Sequence, residues 1–141
     1  MYARFSRTRD IEDSKGVCLR VSMSAHADGA TVTPERRDQP HRPSARLSLC
    51  GTEILSGFIM SARLSAPHAM PDEATDRPLP TRFRLDCSRE LRVVIEQDEA
   101  FPVAIEARLW DRLYAELCLV IAHGRAQNEA GARYNPVGVL H

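Results

Sequence analysis

Phe101-Pro102-Val103-Ala104-Ile105-Glu106-Ala107-Arg108, then Leu109-Trp110-Asp111-Arg112-Leu113-Tyr114-Ala115-Glu116-Leu117, then Cys118-Leu119-Val120-Ile121-Ala122 is the stretch whose reading decides the fold. Its first part is read as a strand, with proline near its start, where proline is tolerated. Its second part sets Leu109, Leu113 and Leu117 four residues apart, on one face of a short helix, with Trp110 and Tyr114 as a neighbouring stripe. The third part is a short apolar run and is read as a buried strand. Asn128-Glu129-Ala130-Gly131 then supplies a hairpin turn, and Tyr134 to Leu140 a closing strand.

Upstream, Thr81-Arg82-Phe83-Arg84-Leu85-Asp86-Cys87 alternates, with Phe83, Leu85 and Cys87 inward. Leu91 to Glu96 is β-branched and predicts another strand. Residues 65–80 hold Pro67, Pro71, Pro78 and Pro80 among acids and are read as a long loop. Ile54 to Leu64 is read as a strand. Ala45-Arg46-Leu47-Ser48-Leu49-Cys50-Gly51 is read as a half-buried one, with Leu47 and Leu49 on one face. Residues 1–44 are rich in Arg, Asp, Ser, Thr and Pro and are read as a disordered arm, with Val17 to Val21 pairing only transiently. Met23 offers an internal start codon. No internal repeat is visible. The expected architecture is mostly β, with a disordered arm at 1–44 and a small domain at 45–141.

The chain has 141 residues and zero formal net charge. Lys15 is the only lysine beside 18 arginines, a bias that supplies planar forks for phosphate and bases. Neutrality argues against a uniformly basic nucleic-acid coat. No run of about 18 apolar residues is present, so no membrane span is expected. Met1 to Arg7 is followed by acids rather than an apolar stretch, which argues against a secretory signal. Cys18, Cys50, Cys87 and Cys118 form no metal-ligand spacing and are read as buried free thiols of a reducing cytoplasm. Neither a metal nor a cofactor is expected. Catalysis is not expected either. The histidines His26, His41, His68, His123 and His141 are scattered, and no nucleophile sits in a strand-turn-helix setting. Glu96, Asp98 and Glu99 are read as the cap of a solvated turn rather than a cation site.

Strand, strand, strand, short helix and a two-strand hairpin is the order of a five-stranded OB-fold barrel, with its helix between strands 3 and 4. The last 97 or so residues resemble bacterial single-stranded DNA-binding proteins, their primosomal OB-fold relatives and the C-terminal OB modules of bacterial replicative polymerases. The shared features are the strand Ala45–Gly51 ending in glycine, Phe83-Arg84-Leu85, the apolar run Val103–Leu109 entering a helix, Gly124-Arg125, and Gly131-Ala132-Arg133-Tyr134. The chain departs from that family in lacking a Lys-Gly turn after the helix, in its long 65–80 segment, and in showing no acidic tail with a Pro-Phe tip.

The resemblance implies non-catalytic binding of single-stranded DNA, with RNA as an alternative, in replication, recombination or repair, including that of mobile elements. It also implies a homo-oligomer, with replication or recombination proteins as partners. Arg46, Arg82, Arg84, Arg92, Arg125 and Arg133 are the expected phosphate contacts, and Phe101, Trp110 and Tyr134 the expected base platforms. A rival expectation is a protein-interaction module that touches nucleic acid weakly or not at all. It is favoured by the neutral charge, by only eight aromatic residues, and by 8 basic against 9 acidic residues from Thr81 to Tyr134.

Overall fold

Leu19, Val21, Met23 and Ala25 alternate with Cys18, Arg20, Ser22, Ser24 and His26, and in the computed structural model this stretch is a nine-residue strand with the apolar set buried. The structure describes residues 5–27, 29–65, 70–76, 78–98 and 100–133. The first sheet is an antiparallel meander of β1 (Phe5–Glu12), β2 (Cys18–His26), β3 (Gly29–Arg36) and β4 (Leu47–Ser48). Its register runs from Phe5 opposite Ala25 to Glu12 opposite Cys18, and from Leu19 opposite Arg36 to His26 opposite Gly29. Gly29 has φ +133°, a conformation that a side chain would strain. At the other hairpin the Asp13 carboxylate accepts the backbone N–H groups of Lys15 and Val17, an Asx turn that Gly16 (φ +88°) completes.

The second sheet is also an antiparallel meander: β5 (Glu73–Thr75), β6 (Thr81–Asp86), β7 (Arg92–Gln97) and β8 (Val103–Glu106). Each sheet runs straight into a helix: β4 into α1 (Leu49–Ser65), and β8 through a 3-10 turn at Ala107–Leu109 into α2 (Trp110–Arg133). Ser48 caps α1, its hydroxyl accepting the Gly51 N–H at 3.0 Å. The helices bind the two sheets together. α2 follows the second sheet but packs across β1, β2 and β3, while α1 reaches β3, β4, β5 and β6. One buried cluster therefore runs from Ile11 to Val120, with Phe58 of α1 and Phe83 of β6 at 6.3 Å between ring centroids.

This architecture corrects the expected barrel. Among the described residues, eight strands form two open four-stranded sheets, not a closed five-stranded OB fold, and there are two helices rather than one. The expected disordered arm contains β1, β2 and β3, with Ile11, Leu19, Val21, Met23, Ala25 and Val32 in the core. Met23 sits mid-β2, so a chain starting there would lack β1 and half of β2. The strand expected at Ile54 to Leu64 is helical because its buried positions, Gly51, Thr52, Leu55, Phe58, Ile59 and Ala62, recur at three and four residues. Apolar residues on the other face, including Leu64 at 78% exposure, hid that period. Of the strand expected from Ala45 to Gly51, only Leu47–Ser48 is extended.

The strand expected at Cys118 to Ala122 and the hairpin after it are instead the continuation of α2. Leu113, Leu117, Val120 and Gly124 face inward, while Cys118, Leu119 and Ala122 are exposed. The 65–80 segment carries β5, paired to β6 through Glu73 opposite Phe83. The expected strands at 81–87, 91–96 and 101–108 are present as β6, β7 and β8, and the helix at Leu109 to Leu117 as the start of α2. The closing strand from Tyr134 to Leu140 lies outside the described residues. The thiols are not buried either: Cys18 is half-buried, and Cys50, Cys87 and Cys118 are exposed and free. Among the described residues no helix is long and apolar enough to cross a membrane.

Candidate functional site

Arg82 and Arg84 stand two apart on β6 and share one face, opposite Glu96 of β7. Both donate to the same carboxylate oxygen, Glu96 Oε1: Arg82 from Nε at 3.1 Å and Nη2 at 2.8 Å, Arg84 from Nε at 2.9 Å. Asp72 lies 3.7 Å from Arg82. The Arg82 hydrogen bonds are the leading cause that holds the Glu96 carboxyl below its usual range. Arg92 donates to Asp86 across the β6–β7 pair at 2.6 Å. Asp86 is held well below the carboxylate range, first by the Ser88 hydroxyl, then by the Ser88 N–H and Arg92. Arg125 of α2 reaches Glu53 of α1.

Arg46 is exposed, and its guanidinium has no carboxylate partner among the described residues. Its backbone is clasped by Gln97, which accepts the Arg46 N–H at 3.1 Å and donates to the Arg46 carbonyl at 2.8 Å. The expected aromatic platforms separate. Trp110 is 3% exposed and its indole N–H donates to the Ile105 carbonyl at 2.9 Å, so it is a core residue. Phe101 is 56% exposed and stacks on His41, with ring centroids 4.2 Å apart. The Arg133 side chain and all of Tyr134 lie outside the described residues.

The fold thus gathers Arg46, Arg82 and Arg84 around one end of the β6–β7 pair. A shallow groove of about 530 Å³ opens there, and its charged walls are Asp76, Arg82, Glu96 and Asp98, with Thr81 and Gln97 between them. Three carboxylates face one guanidinium, and that guanidinium is already bonded to one of them. Phosphate has little to gain from such a groove. The pairing extends over the molecule. Ten of the fifteen described arginines, Arg7, Arg20, Arg36, Arg37, Arg63, Arg82, Arg84, Arg92, Arg108 and Arg125, have a carboxylate partner. Arg9, Arg42, Arg46, Arg89 and Arg112 have none among the described residues.

One cluster escaped the sequence reading. Arg36 ends β3 and is 2% exposed. It donates to the Ala104 carbonyl at 2.5 Å and to Glu106 Oε1 at 3.0 Å on β8, and its Nε and Nη2 form a fork onto Asp38 at 2.9 Å each. Glu106 Oε2 and Arg92 Nε, on cross-strand neighbours of β7 and β8, are buried without hydrogen-bond partners. Arg36 lies in the stretch read as disordered, and no spacing marks it out as buried. It joins the two sheets.

A metal fares poorly among the described residues. Ligand atoms of Asp10, Glu12 and Cys18 lie within 4.8 Å of one another on the β1–β2 hairpin. Asp10 is already held by a two-pronged Arg20 contact at 2.7 and 3.0 Å, which leaves two groups where a structural zinc takes four. Burial raises the Cys18 thiol, with Asp10 and Glu12 adding to it, which disfavours the thiolate a metal needs. Comparison with protein-family models gives no match to this chain, and comparison with curated proteins gives none.

Proposed function

We propose that this chain is a non-catalytic protein-interaction module. The observation that carries this reading is the pairing of the arginines. Ten of the fifteen described guanidiniums are bonded to carboxylates of the same chain, so they tie elements together instead of lining an open phosphate track. Single-stranded DNA binding was expected through a barrel face, and the sheets of the described residues are open instead. Two of its three expected platforms have locations, and one of those, Trp110, is in the core. Three exposed free thiols suit a reducing compartment, where they stay unpaired.

Fluorescence anisotropy with a labelled oligo-dT at low salt tests the reading. No saturable binding is expected. Binding that weakens linearly in log salt, and that is lost in Arg82→Glu/Arg84→Glu, would overturn it in favour of single-stranded DNA.

A further inference from the structure

We infer that the groove between β1 and α2 receives an extended acidic polypeptide segment, which adds to the first sheet as a fifth strand beside β1. The inference rests on the interaction-module reading and gives it a site. β1 is a terminal strand of eight residues, so its outer edge carries backbone donors and acceptors with no strand partner among the described residues. α2 runs antiparallel alongside it. Arg112 donates to the Glu12 carbonyl, Glu116 takes both Arg7 contacts at 2.7 and 2.9 Å, and His123 stacks on Phe5 at 5.0 Å. Strand and helix leave between them a groove of about 220 Å³. An open edge flanked by a helix is the geometry for strand addition, in which main-chain hydrogen bonds supply affinity and the helix wall selects side chains.

The charges name the occupant. Arg7 is neutralised by Glu116, and Asp10 by Arg20. Arg9 on the strand and Arg112 on the helix also line the groove, both exposed and both without a carboxylate among the described residues. The helix wall adds Leu119, 47% exposed, as an apolar contact. The site is therefore locally cationic on a chain of zero net charge. A second copy of β1 fits badly. An antiparallel pair with both helical layers on the same side matches residues of equal parity. Centring it on Arg7, Thr8 or Arg9 sets Arg7 on Arg7, Arg7 on Arg9, or Arg9 on Arg9. Nucleic acid would use the two guanidiniums but leave the edge amides and carbonyls unanswered, whereas a polypeptide answers both.

The probe is a fluorescein-labelled hexapeptide alternating valine with glutamate, titrated in anisotropy. Its controls are the lysine analogue, the same acidic peptide N-methylated at alternate amides, and oligo-dT. The acidic peptide should bind saturably. The lysine and N-methyl analogues should bind at least tenfold more weakly, and so should the chain carrying Arg9→Glu/Arg112→Glu. If that variant fails to fold by circular dichroism, Arg9→Gln/Arg112→Gln replaces it and should weaken binding severalfold. Equal binding of acidic and basic peptides, or no effect of N-methylation, overturns the groove while leaving the module reading intact. Oligo-dT binding that depends on Arg9 and Arg112 overturns both. Light scattering completes the test. Self-association lost in Glu73→Lys would assign the groove to the acidic β5 edge of a second copy and overturn a separate partner.

Discussion

The two halves of this chain follow the same order, a four-stranded antiparallel meander entering a helix, yet they bury their strands differently. In the first, β2 is buried strictly at every second residue, and its other face shows Ser22, Ser24 and Arg20 beside Thr31 and Thr33 of β3. In the second, β7 buries Val93, Val94 and Ile95 in succession. One central strand alternates, and the other keeps Val94 buried on the face it shares with the half-buried Arg92 and Glu96. A run of three buried apolar residues stands out in a sequence. A half-solvated strand bearing serines resembles a loop by composition. The lesson is that the polar half is as much a part of the core as the apolar half, because α2 of the second half packs on the first sheet.

The sharpest way to break the comparison is to delete residues 1–22. The deletion removes β1 and half of β2, and with them Ile11, Leu19 and Val21 of the shared core. The cooperative thermal transition should vanish altogether in circular dichroism. A truncated chain that melts like the intact one would show the halves to be independent.

Next in size is the joint between the halves. Arg36→Ala leaves Glu106 buried without its partner and should cost about 3–5 kcal/mol in urea unfolding, whereas Arg36→Met with Glu106→Leu should cost far less. Equal losses in the two variants would mean that the ion pair itself, rather than the stranded charge, holds β3 to β8.

The contact between the helices comes third. A Cβ at Gly124 would sit 2.7 Å from Leu49 Cδ1, so the helices meet where one of them has no side chain. Gly124→Val should cost about 1–3 kcal/mol, and a double-mutant cycle with Leu49→Ala should return at least half of it. Additive losses would place the strain elsewhere.

The smallest effect is electrostatic. Asp13, in the first half, is held at about 2, first by the Arg108 hydrogen bond from the second half. Its folded value lies below its unfolded one. The stability it adds is therefore present above about pH 4 and lost as pH falls through about 2. Asp13→Asn should flatten the urea midpoint against pH in that window relative to the parent chain. Parallel curves would show the contact to be energetically silent.

What could be read in advance followed the covering of each segment. β6, β7, β8 and the start of α2 were legible because Phe83, the Val93–Ile95 run and the Leu109–Leu117 spacing each give a clean period. The continuation of α2 was not, because Cys118-Leu119-Val120-Ile121-Ala122 is apolar all round and a short apolar run fits either helix or strand. α1 failed for the same reason at Ile54 to Leu64. In the first half the signals were present but faint: the Leu19-Val21-Met23-Ala25 alternation, and Asp28-Gly29, a dipeptide suited to a hairpin turn. β1 buries only Ile11 fully and had almost no signal. The candidate site was partly legible. The pairing of Arg82 and Arg84 on one face follows from alternation, but their neutralisation by Glu96 depends on register, which a one-residue slip would undo.

By itself the sequence determined the local periods of the second half, the neutral charge and the wealth of arginines, because these depend on residues close in the chain. Tertiary contacts alone decided that β1, β2 and β3 build a sheet, that the meanders stay open, and which of the described arginines lack a carboxylate partner. Those outcomes depend on partners far apart along the chain, such as Arg7 with Glu116, Asp13 with Arg108 and Arg36 with Glu106. A guanidinium binds phosphate or ties a fold together according to what stands opposite it, and spacing along the chain does not record that.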